Sequence, residues 1–178
     1  STALRRLDAR PRITLLTSVA WDARIHYPDN AFPSMLAWVL ATIRHFRHRP
    51  DLQLVIRVHP AEVLGVRKSM QRIGDDLARL EPDLPDNVLV VPPDDPVSTY
   101  AITDTSVAAL IYNTKTGIEL APTGLPVVVA GEAWIRGKGF TIDVSSPEDY
   151  EAVLDTLRFA QRLSPEQVAR AEAFAYHI

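Results

Sequence analysis

The run Leu54-Val55-Ile56-Arg57-Val58-His59-Pro60 is almost continuously apolar and then stops at a histidine and a proline. The same layout returns in Ala108-Ala109-Leu110-Ile111-Tyr112-Asn113-Thr114-Lys115-Thr116-Gly117 and in Pro126-Val127-Val128-Val129-Ala130-Gly131-Glu132. An apolar run without alternation suits a parallel strand covered on both faces. In open parallel sheets, ligands bind in the crevice beyond the carboxyl ends of the strands. The polar residues that close these three runs are therefore where the chemistry is expected.

Around them the chain reads as strands alternating with helices. Arg12 to Val19 is the first strand, followed by a long loop with Pro28, Asp29, Asn30 and Pro33. Ser34 caps a helix whose apolar residues Leu36, Val39, Leu40, Ile43 and Phe46 keep helical spacing until Arg49-Pro50. Gln53 to Val58 is the second strand, and a polar helix is expected between Val63 and Leu80. Asn87 to Val91 is the third strand, and a short helix at Ser98 to Ile102 precedes the fourth, Val107 to Tyr112. Thr114 opens a helix ending near Gly124, with Pro122 in its last turn, where a proline removes a hydrogen bond. The fifth strand, Val127 to Ala130, passes through a glycine-rich turn to a brief strand at Phe140 to Asp143. Two capped helices close the chain: Ser146-Pro147, with Tyr150, Val153, Leu154 and Leu157 inward, and Ser164-Pro165 with Gln167 in a capping box. This alternation predicts an α/β fold, a Rossmann-like doubly wound parallel sheet of about six strands with helices on both faces.

Composition narrows the function. The 178 residues suit one domain of ordinary size, 47% hydrophobic and 23% charged. A net charge of −3 argues against a globally basic nucleic-acid surface. The local cluster Arg44, Arg47 and Arg49, interleaved with His45 and His48, sits where cations complement a helix C-terminus. The absence of cysteine removes disulfides, zinc-thiolate sites and cysteine nucleophiles. No apolar run approaches the roughly 20 residues that span a bilayer, and no signal-peptide layout is present, so a cytoplasmic location is expected. A start at Ser1 rather than methionine suggests a processed tag or a piece of a longer protein. Neither Gly-x-Gly-x-x-Gly nor Gly-x-x-x-x-Gly-Lys occurs, which counts against NAD and ATP chemistry.

Four segments are candidates for the site. In Asn113-Thr114-Lys115-Thr116-Gly117-Ile118-Glu119 the backbone amides and hydroxyls at a helix start suit a phosphate. Lys115 adds charge there, Gly117 allows close approach, and Glu119 can accept hydrogen bonds from a ribose diol; alternatively Thr114 is only a cap and Glu119 a favourable acid. His59-Pro60 displays an imidazole at a strand tip, suited to a phosphate, a base or proton transfer. Arg57 joins it as a phosphate candidate, or pairs with Glu62. The loop Gly131-Glu132-Ala133-Trp134-Ile135-Arg136-Gly137-Lys138-Gly139 is read as a donor-sugar or phosphate clamp through Gly131, Glu132, Arg136 and Lys138, or as a solvated turn with Trp134 tucked into the core. In the loop after the first strand, with Trp21, Asp22, Arg24, His26 and Asp29, Asp22 is a candidate acid or base. The pairs Asp75-Asp76 and Asp94-Asp95 make no convincing metal site.

With these residues in view, a resemblance can be stated. Arg57-Val58-His59-Pro60, Tyr112-Asn113-Thr114-Lys115-Thr116-Gly117-Ile118-Glu119-Leu120-Ala121 and Gly124-Leu125-Pro126-Val127-Val128-Val129-Ala130-Gly131 resemble the nucleotide-sugar-binding half of GT-B glycosyltransferases. The match is to capsule polysaccharide biosynthesis proteins that include CMP-Kdo transferases; bacterial sialyltransferases and CDP-glycerol transferases are similar over two of the motifs. The resemblance implies that His59 and Pro60 contact a cytidine nucleotide, that Asn113, Thr114 and Thr116 hold its phosphate, and that Glu119 reaches the ribose. Lys115 stands where the relatives have a small or apolar residue, and Pro122 interrupts a helix that is alanine-rich in them. It covers roughly Arg12 to Asp143, one half of a two-half architecture, so residues 1–178 are expected to be one donor-binding domain of a longer protein whose acceptor-binding half lies elsewhere.

The expectation is thus a metal-independent glycosyltransferase domain of capsule or surface polysaccharide assembly, taking a CMP-activated or other pyrimidine-nucleotide sugar. No cofactor is expected beyond that substrate. Its partners would be the donor and a glycan or glycolipid acceptor, with no nucleic acid and with room for a peripheral place at the inner membrane. The catalytic group is unassigned, with His59 and Asp22 as candidates. A nucleotide-sugar epimerase, a CDP-polyol phosphotransferase of the same fold, and a non-catalytic scaffold module are the rivals.

Overall fold

The computed structural model describes residues 3–19, 28–64 and 72–178. Six strands form one sheet: β1 (Arg12–Leu16), β2 (Gln53–Arg57), β3 (Val88–Val91), β4 (Ser106–Ile111), β5 (Val127–Val129) and β6 (Ile142–Asp143). Their order is β3-β2-β1-β4-β5-β6, and each neighbouring pair is parallel. The chain winds outward from β1 to β3, returns beside β1 as β4, and winds the other way. The boundary between β1 and β4 is therefore the topological switch point at which such sheets bind ligands.

Seven helices flank the sheet among the described residues: α1 (Met35–Phe46), α2 (Ala61–Leu64), α3 (Ile73–Leu80), α4 (Thr99–Thr103), α5 (Thr116–Leu120), α6 (Pro147–Thr156) and α7 (Pro165–Tyr176). Strand alternation sorts them onto two faces. Ile13, Leu15, Leu54, Ile56, Val58, Leu110 and Val128 pack with Trp38, Ile43 and Phe46 of α1, Leu77 of α3 and Tyr150 and Leu154 of α6. Leu16, Ala109, Ile111, Val127 and Val129 face Leu120 of α5 and Ala171 of α7, and Val55, Leu89 and Val91 face Ile102 of α4. Both faces of the central strands are buried, which is why their sequences lack a polar alternation.

The serines foreseen as caps act as caps. Ser34 Oγ accepts from Ala37 N at 3.1 Å, Ser146 Oγ from Asp149 N at 3.1 Å, and Ser164 and Gln167 complete a capping box. Several boundaries differ from the sequence reading, and three of the differences shape the site. β1 stops at Leu16 instead of Val19, because Thr17 and Ser18 turn their hydroxyls to the neighbouring strand tips. In place of one helix from Val63 to Leu80 there are α2 and α3, with residues 65–71 outside the described residues. The helix after β4 begins at Thr116, not Thr114, and after Leu120 tightens into a 3-10 turn, Ala121–Thr123, around Pro122. Gly124 then ends it with φ 81°, a left-handed conformation that favours glycine.

The basic cluster at the end of α1 is structural. Arg47 binds the Glu81 carboxylate at 2.6 Å and Arg49 binds Asp51 at 3.0 Å. Asn87 Nδ2 reaches the carbonyls of Phe46, Arg49 and Leu52 at 2.8–3.0 Å, tying the end of α1 to the entry of β2. No helix of the described residues is long and apolar enough to cross a membrane.

Candidate functional site

The carboxyl edge at the switch point is built from the tip of β1. His59 N donates to Thr17 Oγ1 at 2.9 Å, and Thr17 N donates to the Arg57 carbonyl at 3.2 Å, fixing the end of β2. On the other side, Ser18 Oγ donates to Asn113 Oδ1, fixing the end of β4. Two consecutive hydroxyls thus join the three strand tips into one edge. Neither was singled out from sequence, because Thr-Ser at the end of an apolar run reads as two more strand residues.

His59 is half-buried, and its Nδ1 accepts from Ala61 N at 3.1 Å. With Nδ1 an acceptor, the neutral ring carries its proton on Nε2. Thr114 is buried; its hydroxyl lies 3.2 Å from that of Thr116 and accepts from Thr116 N at 3.4 Å. It closes a local turn just before the helix, whose cap position is Lys115. Lys115 is exposed, and its Nζ stands 4.3 Å from the centroid of the Trp134 ring. Such a contact at an exposed site contributes about 0.5–1 kcal/mol. Glu119 is exposed and its carboxylate accepts from the hydroxyl of Tyr100, a residue of α4 absent from the expected site. That bond, with some burial and the carboxylate's charge, raises the Tyr100 pKa.

Several expected contacts fall elsewhere. Arg57 is 4% exposed, and its guanidinium donates to the carbonyls of Pro92 and Asp95; it braces the loop after β3 and does not face the edge. Glu62 does not pair with it: Glu62 is buried, accepts from Ile73 N at 3.4 Å, and has its pKa raised by burial. Gly117 leaves room for packing, not for a ligand, since a Cβ there would stand 2.6 Å from Ile135 Cδ1 and 2.7 Å from Ile111 Cδ1. Gly131 lies against β4, where a Cβ would meet the Tyr112 carbonyl at 2.6 Å.

The clamp reading of the loop after β5 needs the same correction for two of its residues. Arg136 donates to the carbonyls of Asp29, Val129, Gly131 and Val144 and to Ser145 Oγ, at 2.8–3.2 Å. Its guanidinium ties the loop to β5, to the segment after β6 and to Asp29. Lys138 turns toward α7, 5.8 Å from the Phe174 ring. Glu132 is exposed, and so is Trp134 at 57%, which is not tucked into the core. Trp21, Asp22, Arg24 and His26 lie outside the described residues. Next to the edge, a cavity of about 360 Å³ opens beyond β2 and β3, lined by Val58, Glu62, Arg72, Val90, Pro92 and Asp94 among others. Among the described residues, no group of three or more His, Asp or Glu is placed to hold a metal ion.

Residues 7–163 match the family model described as capsule polysaccharide biosynthesis protein. The chain belongs to that family. No curated protein matches the sequence. Among solved structures, the fold resembles KpsC β Kdo 2,7 transferase from Thermosulfurimonas dismutans at 20% identity and TM-score 0.53, over 96% of this chain and 48% of that one. The KpsC β Kdo 2,4 transferase of the same organism gives 18% and 0.52, over 93% and 44%. A UDP-GlcNAc 2-epimerase from Neisseria meningitidis, solved bound to UDP-GlcNAc, gives 15% and 0.60, over 96% and 41%. At these identities the likeness is one of fold, a Rossmann-like α/β domain. The chain spans less than half the length of each of these structures.

Proposed function

We propose that this chain is the donor-binding half of a GT-B glycosyltransferase of capsule or surface polysaccharide assembly, working in the cytoplasm. The observation that carries this is the hydroxyl-bridged edge: Thr17 and Ser18 tie His59 and Asn113 to the two sides of the β1 tip, at the switch point of a family member's sheet. On this reading a pyrimidine-nucleotide sugar lies across the strand tips. Its phosphate takes the amides and hydroxyls of the Asn113–Thr116 turn, its ribose meets Glu119 beside Tyr100, and the Nε2 proton of His59 is donated to the phosphate or the base. Lys115 offsets the charge that develops on the departing nucleotide. No divalent metal is given a role. The acceptor glycan or glycolipid would meet the donor in a cleft completed by a second half.

Calorimetric titration with CMP, CDP and UDP tests the reading. At least one nucleotide should bind, and His59→Ala and Glu119→Ala should each weaken it severalfold with nearly unchanged melting temperature. Absence of heat with all three, or equal affinity in both variants, would remove the donor site. The likeness to UDP-GlcNAc 2-epimerases favours a second reading, inversion at a sugar carbon of a bound nucleotide sugar. Incubating the full-length protein with UDP-GlcNAc, without acceptor, separates the two: an epimerised sugar supports the second, nucleotide release on acceptor addition the first.

A further inference from the structure

Lys115 and Glu119 stand four residues apart at the start of α5, a spacing at which opposite charges pair. They do not pair. Glu119 takes the Tyr100 hydroxyl, and Lys115 takes the face of Trp134. Among the described residues, no carboxylate lies within ion-pair distance of the Lys115 ammonium.

Trp134 is 57% exposed although its neighbours Ala133 and Ile135 are 5% and 1% exposed. The loop that carries it is pinned by the five bonds of Arg136. The indole thus projects from a fixed backbone. Lys115 is equally well placed at its Cα, between buried Thr114 and buried Gly117. What is free is the long lysine side chain, whose rotamer entropy is among the largest of any residue. Stacking on the ring confines that freedom near the 113–117 turn. A charge-assisted hydrogen bond to a phosphate is stronger than an exposed cation–π contact, so a phosphate at the turn wins the ammonium from the ring.

We infer that Trp134 is a resting contact that competes with the donor phosphate for Lys115: the ring parks the ammonium beside the donor-phosphate position, and phosphate binding draws it off the indole. The pair rests on the donor-site reading above and adds what that reading lacks, a device in the loop after β5 that senses the phosphate. It also explains why a lysine appears at this turn together with an exposed tryptophan.

The test is a double-mutant cycle on the 178-residue chain, titrated with CMP, CDP and UDP, by calorimetry and by tryptophan emission. In the wild type, emission should change and saturate with the calorimetric affinity. Trp134→Phe keeps a ring and should hold affinity within about twofold, while Trp134→Ala, which removes a contact that binding must break, strengthens it about two- to fivefold. Lys115→Met should weaken binding and abolish the emission change, and adding Trp134→Ala to it should change nothing further. Melting temperatures should stay together, since both side chains are exposed. Weakened or wild-type affinity in Trp134→Ala, an effect of Trp134→Ala that persists in the Lys115→Met background, or an emission change that survives Lys115→Met would overturn the pair while leaving the donor site standing. If none of the three nucleotides binds the wild type, the donor site falls and the pair falls with it.

Discussion

His59 owes its place to its backbone as much as to its ring, because its amide is held by Thr17 Oγ1 at 2.9 Å. Thr17→Val keeps the shape and removes the acceptor. It should lower stability by about 1–3 kcal/mol, the penalty for an orphaned buried amide, and weaken nucleotide binding through the displaced imidazole. Chemical denaturation and calorimetry on the same variant read both effects; unchanged affinity would show that the bridge to Thr17 does not position His59. The place of His59 and Pro60 at a strand tip was visible in sequence because the pair closes an apolar run. Thr17 and Ser18 were not, since hydroxyl residues are common in strands. Arg57 and Arg136 misled for the opposite reason. A cation near a strand tip reads as a ligand contact, yet their partners are backbone carbonyls from the loop after β3 and from residues 29, 129, 131 and 144, which spacing does not bring together.

At the scale of elements, α1 shows how remote parts of the chain fix one end of a helix. Asn87 serves three carbonyls at that end, so Asn87→Ala should cost about 2 kcal/mol and lower the melting temperature by roughly 4–8 °C. Calorimetric melting decides it; a fall of under a degree would mean that water replaces the amide. In the same helix, burial lowers the pKa of His45, opposed by the Asp155 carboxylate 3.5 Å away. The folded chain then binds fewer protons than the unfolded one, so stability falls as pH drops through the unfolded value of 6.5. Melting curves from about pH 7.5 to 5.5 should show this fall, and His45→Gln should flatten it; a slope equal in the two proteins would assign the effect to other groups. The caps of α1, α6 and α7 were legible because a serine before an apolar period is a local signal. The short α5 was only half legible: Pro122 announced its end, but its start moved to Thr116 because the Thr114 hydroxyl bonds the Thr116 amide.

Across the whole molecule, the doubly wound parallel sheet was readable because unalternating strands joined by helices leave few topologies open, while the order β3-β2-β1-β4-β5-β6 came only with the structure. That order alone brings residues 17, 59 and 113, distant in sequence, to one edge. The cavity beyond β2 and β3 and the Tyr100–Glu119 contact were out of reach, since each joins elements whose spacing in the chain carries no period. The central claim is that this edge takes a pyrimidine nucleotide, and an amide chemical-shift map of the chain during titration with CMP, CDP or UDP tests it most directly. The account predicts saturable shifts concentrated at residues 17–18, 59–60 and 113–119. Shifts that cluster on another face, or no saturable shift with any of the three, would contradict it.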